Sequence, residues 1–91
     1  MNVERTNEFE KSVKKITDKV AKKRLYSLIE KLEMSHNLNE ISNVKPIAKN
    51  PNIYRIRTGY YRLFVFYIDG EITILLLEYV KKNDNTYRNY N

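Results

Sequence analysis

Three arginines lie close together in a stretch of the chain that alternates in polarity and is interrupted by one glycine. Arg55 and Arg57 are two residues apart, so an extended chain carries both side chains on one face of a strand. Arg62 follows Gly59 on the next alternating segment and enters the same region. The planar guanidinium group binds phosphate oxygens through paired hydrogen bonds. The spacing therefore predicts a surface suited to a phosphate backbone.

Tyrosines and the excess of positive charge share the half of the chain that holds these arginines. Seven of the eight tyrosines lie beyond residue 53. The net charge is +6, and residues 41–91 hold eight Lys and Arg against four Asp and Glu, whereas residues 1–40 hold nine against seven. Aromatic rings stack on bases and cations neutralise phosphates, so this combination favours a nucleic-acid surface. A basic surface that serves solubility alone is the alternative.

The composition limits the classes of protein to which the chain could belong. Its 91 residues, of which 42% are hydrophobic, predict one domain over residues 1–91 with a modest core. The absence of cysteine excludes disulfide bonds and thiolate metal sites. The first residues are charged, which is unlike a secretory signal, and no apolar run approaches the ~18 residues of a membrane span. We therefore expect a cytoplasmic protein with no membrane partner.

Common catalytic and cofactor motifs are absent from the sequence. The two glycines, Gly59 and Gly70, lie in predicted turns, so there is no glycine-rich phosphate loop. There is also no nucleophile elbow, EF-hand loop or HExxH motif. A catalytic triad or a His-based zinc site would depend on the single histidine, His36, which is expected to be an ordinary exposed side chain. We expect no metal and no cofactor.

The elements that must position the arginines begin with a helical hairpin. Residues 2–5 predict a short first strand. Thr6 and Asp18 have the side chains of helix N-caps, and apolar residues recur after each at helical spacing. The pattern predicts two helices that form a hairpin over about residues 7–35.

A polar connection and a run of strands follow the helices. Residues 37–52 hold both prolines and predict a long connection. Three strands are then expected, at about residues 53–58, 60–68 and 71–80. Asp69-Gly70 is a strong hairpin signal, and the nearly continuous apolar run 72–77 predicts that the last strand is central. Residues 81–91 form a polar, basic tail.

The order of these elements, β-α-α-β-β-β, predicts an α+β fold. The strands are expected to form an antiparallel sheet with the two-helix hairpin packed on one face, which leaves the other face for function. Tyr61 and Tyr67 share their parity with Leu63 and Val65 and are expected in or near the core.

The segments together resemble the RelE/ParE superfamily of bacterial type II toxins, over most of the chain. The resemblance rests on the helical hairpin and on four further segments: Val44-Lys45-Pro46-Ile47, the run from Ile53 to Leu63, the hairpin from Tyr67 to Leu75, and Lys81-Lys82 with Tyr87. It implies a RelE-like fold.

The RelE branch of the superfamily implies an activity and two kinds of partner. Its members are ribosome-dependent endoribonucleases that enter the A site of the 70S ribosome and cleave mRNA there without metal. A cognate antitoxin, typically acidic, neutralises them. The resemblance implies catalytic roles for Arg57, Arg62, Lys81 and Tyr87. It implies RNA binding by Arg55, Lys82, Lys49 and Arg88.

The resemblance also implies how these side chains act. Arg62 and Arg55 would bind the scissile phosphate and stabilise its dianionic transition state. The attacking group would be the RNA 2′-hydroxyl, which leaves a 2′,3′-cyclic phosphate. Lys81 would protonate the 5′-oxygen, and Tyr87 would stack on or orient a base.

One position departs from the family pattern. RelE toxins place a lysine, regarded as the general base, where this chain has Arg57. Arginine has a pKa above ~12 and is a poor base at neutral pH. A base would then come from Lys81, Lys82, Glu78 or Asp84, or catalysis would consist mainly of electrostatic positioning.

Two other functions fit the same superfamily. A ParE-like protein shares the fold and the arginine-tyrosine pattern but inhibits DNA gyrase and cleaves no RNA. A non-catalytic RNA-binding module on the same scaffold is the third possibility. The ending with Lys81, Lys82 and Tyr87 favours the RelE branch, because ParE-type chains usually lack that set.

Overall fold

The computed structural model of the chain describes residues 1–47 and 49–82. Its strands are β1 (Asn2–Arg5), β2 (Val44–Ile47), β3 (Asn50–Thr58), β4 (Tyr61–Tyr67) and β5 (Thr73–Lys81). Its helices are α1 (Asn7–Lys14) and α2 (Lys19–Met34), and a 3-10 turn at Leu38–Glu40 precedes β2. The prediction of an α+β fold with two consecutive helices is confirmed.

Both helices begin at the residues that the sequence indicates. The Thr6 hydroxyl oxygen accepts the Phe9 N–H at 3.1 Å, and the same hydroxyl donates to the Leu76 carbonyl of β5 at 2.8 Å. The Asp18 carboxylate accepts the Val20 and Ala21 N–H groups at 2.9 and 3.1 Å. These bonds satisfy N–H groups that a helix leaves unpaired in its first turn.

The sheet is mixed, so the prediction of a purely antiparallel sheet is wrong. Its strand order is β1-β5-β4-β3-β2, and β1 pairs with β5 in parallel while every other neighbouring pair is antiparallel. The strands from β3 to β5 reverse direction at each turn. Consequently β5 runs in the same direction as β1, beside which it lies.

The predicted long connection contains an additional strand, β2. Val44 pairs with Ile56 and Lys45 pairs with Arg55, so β2 extends the sheet beyond β3. The proline at position 46 favours a connection over a strand. It is tolerated here because β2 is an edge strand, where a missing N–H need not interrupt a ladder.

The central strand is β4, whereas the apolar run predicts a central β5. Six of the seven residues of β4 are buried, and β5 lies between it and β1. Ile72, part of the apolar run, is 73% exposed and precedes β5. The sequence of β4 does not indicate a central strand, because one of its buried residues is the charged Arg62.

The core lies between the two helices and one face of the sheet. Its buried members from the helices include Phe9, Leu25 and Leu32. The Tyr79 hydroxyl joins the two layers, since it donates to the Ala21 carbonyl at 2.8 Å and lies 2.9 Å from the Thr58 hydroxyl. Tyr61 and Tyr67 are also buried in this core, as their parity predicts. Among the described residues, no helix is long and apolar enough to cross a membrane.

Candidate nucleic-acid interface

The three arginines lie on the face of the sheet opposite the helices. Ile56 of β3 belongs to the helix-side core, so its neighbours Arg55 and Arg57 have the opposite parity. Arg57 pairs directly with Arg62 across β3 and β4. The arrangement agrees with the alternation of the sequence.

A fourth cation, Lys45, joins these arginines from the edge strand. Its partner across β2 and β3 is Arg55, which places the two residues in one row of the sheet. Lys45 and the three arginines line a small cleft of about 120 Å³ together with Asn43 and Val44. We call Lys45, Arg55, Arg57 and Arg62 the basic face. Sequence reasoning misses Lys45 because Pro46 makes the segment resemble a connection.

Arg62 is the most enclosed member of the basic face. Its side chain is only 7% exposed, and Nη1 donates to the carbonyls of Gly59 at 3.2 Å and Tyr61 at 3.0 Å. These bonds fix the direction of the guanidinium plane. Burial, and then the charges of Arg55 and Arg57, lower the pKa of Arg62. An anionic ligand on this face would relieve that repulsion.

A small apolar cluster lies on the same side of the sheet as the basic face and supports it. Ile47, Phe64 and Val80 are buried together, and they come from three different strands. Phe64 pairs with Arg55 on one side, and Val80 pairs with Arg62. Buried aromatic and branched side chains have few accessible rotamers, so the stems of the arginines rest on a rigid base.

The two lysines at the end of β5 point to different sides of the sheet. Lys81 pairs with Tyr61, whose ring stacks on Tyr79 in the helix-side core at a centroid distance of 5.0 Å. Lys81 therefore has the parity of the helix side, and it lines a groove beside α1. Lys82 has the parity of Arg62, and its N–H donates to the Tyr60 carbonyl at 2.9 Å. By parity Lys82, and not Lys81, continues the basic face.

Lys49, to which the resemblance assigns RNA binding, is not brought to the basic face. Lys49 is exposed in the turn between β2 and β3. At ~3.3 Å per residue, Lys49 lies roughly 20 Å along the chain from Arg55. Tyr87, Arg88 and Asp84 lie outside the described residues.

Glu78 is a carboxylate on the same side as the basic face. It pairs with Phe64, which in turn pairs with Arg55, so the three residues form one row across β5, β4 and β3. No other acidic residue occurs in the described strands β3, β4 and β5. Glu78 sits beside a register shift between Phe64 and Val65, and it also lines the groove beside α1 that Lys81 lines.

The histidine and the carboxylates do not form a metal site in the described part of the chain. His36 is 91% exposed and its Nδ1 lies 3.3 Å from a Glu40 carboxylate oxygen, which confirms the expectation of an exposed histidine. Within residues 1–47 and 49–82, no three His, Asp or Glu side chains are grouped closely enough to hold a metal ion.

Comparisons with known proteins point to one group of toxins. No protein-family model and no curated protein matches the chain. Among solved structures, the RelB–RelE antitoxin–toxin complex from Methanococcus jannaschii matches with a TM-score of 0.78 and 26% identity, over 97% of this chain and 99% of that chain.

Two further solved structures share the fold at lower identity. The isolated RelE toxin from E. coli matches with a TM-score of 0.62 and 19% identity, over 97% of this chain and 92% of that chain. The RelBE2 toxin–antitoxin complex from Mycobacterium tuberculosis matches with a TM-score of 0.61 and 17% identity, over 89% of this chain and 96% of that chain. The resemblance indicated by the sequence is confirmed, because the chain is similar in fold to RelE toxins over most of its length.

Proposed function

We propose that the chain is the toxin of a type II toxin–antitoxin pair and acts as a ribosome-dependent endoribonuclease on mRNA. The observation that carries the proposal is the basic face, where four cations surround one small cleft on a rigid sheet. A cleft of this charge suits a phosphodiester group. The likeness to RelE toxins supports the same function.

The proposed reaction is an attack of the RNA 2′-hydroxyl on the adjacent phosphorus. The bond from O2′ to phosphorus forms and the bond from phosphorus to O5′ breaks, which leaves a 2′,3′-cyclic phosphate and a 5′-hydroxyl. Negative charge grows on the non-bridging oxygens in the transition state. Arg62, held by two carbonyls, and Arg57 beside it would stabilise that charge at fixed positions.

Proton transfer in this reaction needs groups other than Arg57. Glu78 is our candidate for the base that accepts the 2′-hydroxyl proton, because its parity places it on the side of the arginines. Lys82 is our candidate for the acid that protonates O5′. Lys81, which the resemblance favours as the acid, has the parity of the opposite face. Most of the rate acceleration would then come from electrostatic stabilisation.

An antitoxin is the proposed protein partner. Two of the similar structures are complexes of a RelE toxin with its antitoxin. The net charge of +6 on this chain favours an acidic partner segment that folds on binding. The other proposed partners are mRNA and the 70S ribosome.

The experiment that tests this function uses purified protein with programmed ribosomes and a defined mRNA. We expect cleavage of the ribosome-bound mRNA in the A-site codon, with 2′,3′-cyclic phosphate ends and no loss of rate in EDTA beyond that caused by ribosome dissociation. Arg57→Ala, an exposed position, should abolish cleavage while leaving the circular dichroism spectrum unchanged. Intact mRNA with the parent protein would refute the nuclease function.

A further inference from the structure

Tyr60 is an exposed aromatic residue in the turn between β3 and β4. It is 82% exposed, whereas Tyr61 and Tyr79 beside this turn are buried. Among residues 1–47 and 49–82, no other aromatic ring is paired with the ring of Tyr60. The ring is therefore available to a ligand and has no part in the core.

The backbone of this turn is fixed at three points. The Gly59 carbonyl accepts a hydrogen bond from Arg62 Nη1 at 3.2 Å, and the Tyr60 carbonyl accepts the Lys82 N–H at 2.9 Å. Gly59 has a φ of 63°, and the guanidinium of Arg24 in α2 occupies the place that a Cβ at this position would take. The turn therefore presents the ring of Tyr60 from a backbone that is held in place.

Tyr60 lies next to the enclosed arginine of the basic face. Tyr61 pairs with Lys81 across β4 and β5, and the bond from Lys82 to Tyr60 continues this ladder by one residue. Tyr60 therefore has the parity of Arg62, from which it is two residues away. At ~3.3 Å per residue, the two Cα atoms are about 7 Å apart. A phosphate bound by Arg62 would therefore place the base of an adjoining nucleotide within reach of the ring of Tyr60.

The charges around Tyr60 favour a nucleic acid as the ligand of this ring. The ends of the two adjoining strands, residues 57–62 and 80–82, contain no carboxylate, and their cations are Arg57, Arg62, Lys81 and Lys82. Single-stranded nucleic acids are bound by this combination, since the ring stacks on a base while the cations pair with phosphates.

We propose that Tyr60 is a positioning residue that stacks on the RNA base next to the phosphate bound by Arg62. The inference rests on the proposed function for the choice of RNA as the ligand. Because the backbone of the turn is already fixed, little conformational entropy is lost when the ring contacts a base. Stacking would hold the nucleotide in place relative to Arg57 and Arg62, and it would tolerate any base because every base has a face that can stack.

The test measures the binding of a fluorescently labelled, single-stranded RNA of ten nucleotides by anisotropy, in the absence of ribosomes. The variants are Tyr60→Ala, which removes the ring, and Tyr60→Phe, which keeps it. Tyr26→Ala, at a 46% exposed position of α2, is the matched control. Each protein is also titrated with an abasic RNA of the same length, which keeps the sugars and phosphates but lacks the bases.

Tyr60→Ala should bind the complete RNA about tenfold more weakly than the parent, because the contact with one stacked base is lost. Tyr60→Phe and Tyr26→Ala should stay within about twofold of the parent. The parent and Tyr60→Ala should bind the abasic RNA equally, and the salt dependence of binding should be the same for both because the substitution changes no charge.

Equal affinity of the parent and Tyr60→Ala for the complete RNA would overturn the proposal. An equal loss of affinity for the abasic RNA would also overturn it, because the ring would then not act through a base. A loss in Tyr60→Phe as large as that in Tyr60→Ala would have the same meaning. Because binding is measured without ribosomes, the absence of mRNA cleavage alone would refute the nuclease function and not this result.

Discussion

Arg62 shows how one residue combines structural and functional demands. The residue is only 7% exposed, its guanidinium is held by two backbone carbonyls, and the charges of Arg55 and Arg57 act on it. Placing like charges together on a rigid surface costs stability, and a bound phosphate would offset that cost. The spacing of the arginines is readable in the sequence, whereas the participation of Lys45 depends on the pairing of an edge strand that contains proline.

The two lysines of the β2–β3 region give a matched pair for testing the extent of the RNA surface. We predict that Lys45→Ala weakens single-stranded RNA binding about three- to tenfold, because it removes one phosphate contact. The slope of the logarithm of the binding constant against the logarithm of the salt concentration should decrease in magnitude by about one. Lys49→Ala, on the distant turn, should change neither quantity. Filter binding at several salt concentrations provides the measurement, and equal effects of the two variants would contradict the basic face as defined.

Glu78 allows the proton-transfer role to be separated from RNA binding. We predict that Glu78→Gln lowers the single-turnover cleavage rate on programmed ribosomes about 100-fold, because the amide cannot accept the 2′-hydroxyl proton. RNA affinity should not fall, since the change removes a negative charge. Glu71→Gln, an exposed residue in the β4–β5 connection, is the control. A Glu78→Gln rate equal to that of the parent would leave catalysis to electrostatic stabilisation alone.

At the scale of elements, patterns within one segment predict that a helix or turn is present, whereas pairing between distant strands is not predicted by the sequence. The N-caps Thr6 and Asp18, the helical periodicity and the Asp69-Gly70 turn are local, and each predicts an element that is present. The parallel pairing of β1 with β5, the existence of β2 and the central position of β4 depend on contacts between distant segments. Alternation within β3 and β4 sufficed to place the arginines, whereas the side taken by Lys81 required the register of β5 against β4.

The hydroxyl of Tyr79 links α2 to the sheet. Its ionisation makes the free energy of unfolding decrease at alkaline pH. Burial raises the pKa of Tyr79 above its ordinary value near 10, and this effect outweighs the hydrogen bond from Thr58. Above about pH 10 the unfolded state therefore loses the phenol proton first. The stabilisation is present below that pH and is lost as the pH rises towards the folded-state pKa.

We predict that Tyr79→Phe lowers the free energy of unfolding by about 1–2 kcal/mol at pH 7, because the Ala21 carbonyl and the Thr58 hydroxyl lose a partner. Between pH 9.5 and 11 the variant should lose stability less steeply than the parent. Urea unfolding at each pH measures both effects. Tyr60→Phe, at an 82% exposed position, should match the parent, and parallel pH curves for Tyr79→Phe and the parent would contradict the assignment.

On the scale of the whole molecule, two basic clefts lie on either side of one sheet edge and share Arg57. The basic face is small and rigid, as a phosphate site requires, and the cleft along α2 is larger and partly apolar. The net charge of +6 favours association with both RNA and an acidic protein.

Primer extension on mRNAs from cells after pulsed expression tests the central claim most directly. Cells that express the parent chain should contain mRNAs cut within codons, and cells that express Arg62→Ala or Arg57→Ala should contain intact mRNAs at equal protein levels. Circular dichroism of the purified variants establishes that both are folded. Intact mRNA together with induced DNA damage in cells that express the parent would contradict the account and favour a gyrase inhibitor, and unchanged cleavage by both variants would show that the basic face is not the active site.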